Sequence, residues 1–183
     1  LWKKYGKYVV AFAVLLVVGV AGYQGWRSWD LKTRTEQSNR FLAALDLRAN
    51  GDLESARKAL AELAGDAGKG YATLARFQEA ALMENLGDGK GAIAAYEALS
   101  GDSAVPESFR QLAVVLGTLL QLDSGDPAAL SERIAPLTAA DNPWRFTALE
   151  ITALLAVRAS NVEKAREIFT QLSGDSSTPP GIR

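Results

Sequence analysis

The sequence predicts an all-α protein, with one long apolar helix at the N-terminus followed by a stack of about four helical hairpins. Three observations carry this reading. Nineteen consecutive residues from Tyr8 to Trp26, YVVAFAVLLVVGVAGYQGW, hold no charge. Beyond them one pattern returns four times, as NGDLESARKALAELAGD (50–66), LGDGKGAIAAYEALSGD (86–102), SGDPAALSERIAPLTAAD (124–141) and SNVEKAREIFTQLSGD (160–175). No stretch alternates apolar and polar residues as a half-buried strand would.

The uncharged run comes first. At about 1.5 Å per residue it approaches the roughly 30 Å of a bilayer's hydrocarbon layer, which predicts a single membrane span. Trp2, Tyr5 and Tyr8 flank it on one side and Tyr23, Trp26 and Trp29 on the other, where amphipathic rings settle at the two headgroup layers. The run is longer than the apolar region of a cleaved signal peptide and has no small-residue cleavage site after it. Residues 1–29 are therefore read as a retained anchor and 30–183 as the repeat domain. Lys3, Lys4 and Lys7 precede the span and Arg27, Lys32, Arg34 and Arg40 follow it, so the count does not decide orientation; the denser N-terminal group leans towards a cytoplasmic N-terminus. Ala21, Gly22 and Gly25 are small residues at which another membrane helix could approach closely. The chain opens on Leu rather than Met, so further natural residues are expected to precede it.

Neither Gly nor Pro occurs between Gly25 and Gly51, so the span is expected to continue without a break into the first hairpin. The turn residues Gly51, Gly87, Gly125 and Ser160 follow one another at intervals of 36, 38 and 35. After each stands Asp52, Asp88, Asp126 or Asn161, whose side-chain oxygen can cap the next helix, and Pro127 suits a first helical position. Four residues past the cap comes Ala56, Ala92, Leu130 or Ala165. Leu60, Tyr96, Ile134 or Phe169 follows at +4, and Leu63, Leu99, Leu137 or Leu172 at +7, all on one helical face. Twelve residues before the first of these stand Ala44, Ala80, Thr118 and Ala153, so the third copy departs from the pattern twice. Asn142–Pro143 and Pro106–Glu107 are read as the starts of the last two first helices.

Composition removes much chemistry. The chain has no Cys and no His, which excludes thiolate nucleophiles, imidazole bases and the commonest zinc ligands. Its 20 basic and 21 acidic residues leave no global field for nucleic acid. Gly87, Gly89 and Gly91 around Lys90 resemble a phosphate loop, but a P-loop needs Ser or Thr where Gly91 stands, Gly where Glu84 stands, and a preceding strand. Asp66, Asp102, Asp141 and Asp175 are explained by repeat turns. Trp144, Phe146, Phe77, Phe109 and Tyr71 are spaced for interior packing. No catalytic, cofactor, nucleotide or metal site is expected.

The period and the small–large–large stripe resemble the tetratricopeptide repeat, whose unit is about 34 residues. The family's geometry implies a concave surface built from first helices, onto which Arg48, Phe77, Gln78, Glu84, Glu150 and Arg158 map. At the level of the whole chain, WKKYGKYVVAF, the Gly-bearing span ending GYQGWRSW and the tail LSGDSSTPPGIR resemble the bacterial YfgM-like family of ancillary subunits of the SecYEG translocon. That resemblance implies an inner-membrane, single-pass, noncatalytic scaffold, its anchor against the translocon and its periplasmic repeats engaging chaperones or clients. The alternative is a structural accessory subunit of another inner-membrane complex, respiratory or photosynthetic, bound through the span. The turn STPPG is expected to lead into a further C-terminal helix, as a stack needs a capping element at each end.

Overall fold

The computed structural model describes residues 2–183, with side chains from residue 15 onward. Among the described residues there are eight α-helices and no strand: α1 Trp2–Ala49, α2 Leu53–Asp66, α3 Lys69–Asn85, α4 Gly89–Gly101, α5 Glu107–Leu120, α6 Pro127–Ile134, α7 Arg145–Arg158 and α8 Val162–Gly174. They pair as α1/α2, α3/α4, α5/α6 and α7/α8, and each second helix also packs on the next first helix. The first half of each pair is called the first helix below.

The expected continuity of α1 holds. It runs 48 residues through the boundary read at residues 29 and 30, about 72 Å at the usual rise. Its last part is the first helix of the first hairpin, with Ala44 fully buried and Phe41 and Leu47 packed beside it. From Leu15 to Trp29 the described side chains of α1 remain largely exposed. Among the described residues no helix is long and apolar enough to cross a membrane. The span read at Tyr8 to Trp26 has its first seven side chains, with Trp2 and Tyr5, outside the described residues.

The turns inside the hairpins are short because one dipeptide closes a helix and opens the next. Gly51 and Gly87 take φ of 83°, and their N–H groups donate to the carbonyls of Arg48 and Glu84. Asp52 and Asp88 then donate backbone N–H to Leu47 and Met83, while their carboxylates accept from Ser55 N and Gly91 N at 3.2 and 2.9 Å. This closes the last carbonyls of one helix and the first N–H groups of the next within two residues. Ser160–Asn161 repeats the arrangement, with Ser160 at φ 58° and Asn161 accepting from Lys164 N.

Gly125 differs. It has no positive φ; instead a Cβ there would lie 2.9 Å from Leu130 Cδ1 and 3.1 Å from the Gln121 carbonyl. Its role is to make room for Leu130, which stands where the other hairpins have Ala. Thr118 nevertheless keeps the register of Ala44, Ala80 and Ala153, fully buried with its hydroxyl donating to the Val114 carbonyl at 2.7 Å. Pro136, which has no N–H, tightens the end of α6 into a 3-10 turn at Ala135–Thr138, and Leu137 stays buried. The Asp126 cap and Pro127 stand as expected. The other two helix starts shift: α5 begins after Pro106 without a side-chain cap, and Asn142 accepts from Trp144 N in a turn that precedes α7.

Four cores follow one another along the stack, each shared by a hairpin and what lies beyond it. The acidic residues after the second helices do more than make turns. Asp66 pairs with Arg40 at 3.0 Å, Asp102 with Arg76 at 2.7 Å and Asp175 with Arg145 at 3.6 Å. Each clasp ties the end of a second helix to its own first helix. The third hairpin lacks it, and the Arg110 Nε is buried without a hydrogen-bond partner.

Two consequences can be measured. Gly125→Ala should destabilise by about 1–3 kcal/mol through overpacking, whereas Gly89→Ala, which meets nothing within 4 Å, should stabilise by up to about 1 kcal/mol; thermal unfolding of the two variants checks the contrast. The Asp102 carboxyl is held below the ordinary carboxylate range, first by the Arg76 hydrogen bond and then by the Ala104 N–H. A lowered folded pKa means the stabilisation is complete above the unfolded value, about 3.9, and is lost as pH falls through the folded one. Arg76→Ala should therefore lower Tm at neutral pH and flatten its fall below pH 4.

Candidate interaction surface

The first helices meet one another, α1 with α3 and α5 with α7, and so form the inner layer of the stack. Arg48 closes α1 and reaches α3, donating from Nη1 to Gln78 Oε1 at 2.6 Å. The positive-φ turn fixes where α1 stops, and so fixes where this guanidinium projects. Glu84 holds the same position at the end of α3 and is exposed. Between them lies the buried Tyr96 of α4. Burial raises its phenol pKa above the usual tyrosine value, the Glu84 charge raises it further, and the Arg48 charge opposes both. Arg48 and Gln78 are thus joined across the first two hairpins, and the Arg48 and Glu84 charges both act on Tyr96.

The other expected surface residues lie elsewhere. Phe77 is corrected to core: it is 8% exposed, its ring 6.1 Å from Tyr96 and 5.9 Å from Phe109. Its position sets it between two hairpins rather than over the inner face. Glu150 is half-buried on α7. Arg158 ends α7 and donates to the carbonyls of Leu122 and Gly125, so it ties the fourth hairpin to the α5–α6 turn. Ala21, Gly22 and Gly25 are exposed on α1, and a Cβ at either glycine would meet nothing within 4 Å. They form no contact with the repeats.

Sequence reading sought charges and missed an apolar row. Six residues before each turn residue stand Leu45, Ala81, Leu119 and Leu154; in α1, α3 and α7 they lie one helical turn from Arg48, Glu84 and Val157 on the same face, whereas Leu122, at the matching distance in the third copy, lies past the end of α5 and packs against the core. Leu119 and Val157 are exposed. The inner face is charged over the first two hairpins and apolar over the last two. The signal was present in the spacing, but only the turn register shows which leucines are free of the core.

The glycine-rich stretch offers no anion site. The Gly91 N–H that a phosphate would need is taken by Asp88 Oδ1, and the Asp88 carboxylate occupies the space of a Gly91 Cβ. Among the described residues no group of His, Cys, Asp or Glu is placed to hold a metal ion.

The charge pair around Tyr96 gives a titration test. In ultraviolet titration, read as the difference from Tyr96→Phe, Glu84→Gln should lower the Tyr96 pKa and Arg48→Gln should raise it.

Comparison with known proteins places these observations. No curated protein matches the chain. The family comparison matches residues 1–171 to the tetratricopeptide repeat-like domain, a range that takes in α1 and most of α8. An all-helical stack of capped hairpins, with a period near that of the repeat and this match over most of its length, belongs to the tetratricopeptide repeat-like family.

Proposed function

We propose that the chain is a noncatalytic scaffold anchored in a bacterial inner membrane by the N-terminal part of α1, its repeats in the periplasm. There it serves protein export beside the Sec translocon, with its inner face taking chaperones or emerging client polypeptides. The observation that carries this reading is α1 itself. Its exposed apolar side chains from Leu15 onward continue the uncharged sequence that begins at Tyr8, and the same helix enters the first hairpin without a break. So much exposed apolar surface on one helix requires a lipid or protein environment. The repeat-like family supports a protein-binding scaffold rather than a small-molecule site. The mixed inner face, Arg48 and Glu84 at one end and Leu119 and Val157 at the other, suits an extended or helical polypeptide with both kinds of side chain.

A second reading, a subunit held in another inner-membrane complex by its anchor alone, draws on the open small-residue face at Ala21, Gly22 and Gly25. Photocrosslinking in native membranes separates the two. A crosslinker at Leu119 should capture periplasmic chaperones or nascent secreted chains, and one beside Gly22 should capture translocon subunits. Capture only beside Gly22, of a respiratory or photosynthetic subunit and lost in Gly22→Leu, supports the second reading; capture of neither class rejects the first.

A further inference from the structure

Helix α1 carries two uncharged lines, and its own repeats cover only one of them. Phe41, Ala44 and Leu47 form the covered line, packed into the first core. The other holds Ser28, Leu31, Thr35, Ser38, Leu42 and Leu45, an alternation of three and four residues that stays on one side of a helix. Ser28, Leu31, Thr35 and Leu42 are exposed, Leu31 and Leu42 at 54% each, while Ser38 and Leu45 are half-buried. All eight charged residues from Arg27 to Arg48 stand off this line. Arg40 and Ala44, which meet Asp66 and the core against α2, lie on the opposite side of the helix. Below Ser28 the line continues uncharged through Gln24, Ala21 and Val17, all exposed.

The charges beside the line are one-sided in the half nearest Trp26. Arg27 and Arg34 stand on one flank there and Lys32 on the other. Asp30, the acidic residue of that half, is paired with Arg34 at 2.9 Å, so Arg27 and Lys32 leave positive charge on both flanks. A helix lying along the line sets its own flanking residues against these, and charges at such positions decide which helix pairs with which. In a parallel pair of two copies of this chain, Arg27 of one would face Lys32 of the other and Arg34 would face Asn39, which brings no opposite charges together. At its upper end the line reaches Leu45, which stands in the inner-face row of Leu119 and Leu154. A helix that follows it is led from the level of Trp26 and Trp29 to the rim of the inner face.

We propose that this line is the docking surface for one helix of another membrane protein, which leaves the bilayer parallel to α1. Its contact stripe is apolar or small at the same spacing, and Asp or Glu flanks that stripe in the half nearest the membrane, against Arg27 and Lys32. The occupant is not a second copy, because that pairing sets Arg27 against Lys32. That the two helices share a bilayer rests on the anchored reading of α1 given above; the contact along Ser28 to Leu45 does not.

Two designed single-span probes test the proposal against the full chain in phosphatidylcholine vesicles, with association read by energy transfer. Each has an uncharged span followed by three heptads with Leu and Ala on one stripe, flanked by Glu in one probe and by Lys in the other. The Glu probe should bind about tenfold tighter or more, and Arg27→Glu with Lys32→Glu should reverse the preference. Lys58→Glu, exposed on α2 and away from the line, should leave it unchanged. Leu31→Asn with Leu42→Asn should weaken the Glu probe by about tenfold or more while Arg27 and Lys32 remain. Both leucines lie outside the cores, so thermal unfolding of that variant should match the parent. Equal binding of the two probes, or binding that survives the leucine substitutions, overturns the proposal. So does self-association of the chain alone that the leucine substitutions abolish, because that result puts a second copy on the line. In native membranes a photocrosslinker at Leu31 should map to a helix with Asp or Glu flanking its stripe, and a map to lipid alone overturns the proposal. Flotation of the chain with the vesicles tests the anchor separately. If the chain does not float, the anchored reading fails, and the same heptads without their span, added to the chain in detergent, decide the contact by the same comparison of Glu with Lys.

Discussion

The distance at which the two helices of a hairpin cross governs everything else in this protein. In three hairpins it is set by a pair of alanines, Ala44 with Ala56, Ala80 with Ala92 and Ala153 with Ala165, all almost wholly buried. Two methyl-sized side chains let the axes approach towards the short end of the usual 8–10 Å. Only at that separation can a three-residue link span the helix ends, which is why a left-handed residue followed by an Asp or Asn cap suffices to close it. It is also why an arginine on the first helix can reach the aspartate beyond the second. Where Thr118 and Leu130 replace the alanines, the link lengthens, the left-handed residue disappears and the clasp is lost together.

The third hairpin thus reads as one coordinated departure. Leu130 needs volume, Gly125 yields it, and the turn relaxes around the larger side chain. Arg158 compensates from outside, holding the Leu122 and Gly125 carbonyls from the next hairpin. A carbonyl that accepts from a guanidinium is a stronger tie than one in a neutral hydrogen bond. The cohesion that the neighbouring hairpins hold internally is in this one shared with the repeat after it.

Much of this was legible in the sequence, because the turn residues and caps act locally. Asp52, Asp88, Asp126 and Asn161 all cap the helices assigned to them, and the absence of Gly and Pro after Gly25 foretold an unbroken α1. What escaped was relational. Gly125 looks like Gly51 and Gly87 on paper, yet it serves a side chain five residues away rather than a backbone angle. Asp66, Asp102 and Asp175 look like turn residues until the arginines 26 to 30 positions earlier are brought beside them. Arg48 meets Gln78 across the first two hairpins, whereas Phe77 lies in the core, since its side chain points between layers. Leu119 was overlooked because exposed leucines are ordinary until a shared register aligns them.

The unbroken α1 has a mechanical consequence. A helix with no flexible joint transmits rotation about its axis as well as displacement along it, so the azimuth of its N-terminal part dictates the compass bearing of the inner face. Each residue of helix advances that bearing by about 100°. The number of residues between Trp26 and Ala44, rather than any contact, therefore sets which way the stack looks. Tolerance to substitution along this stretch is high, but tolerance to a one-residue insertion or deletion is low, because the change turns the whole solenoid as a key turns its bit.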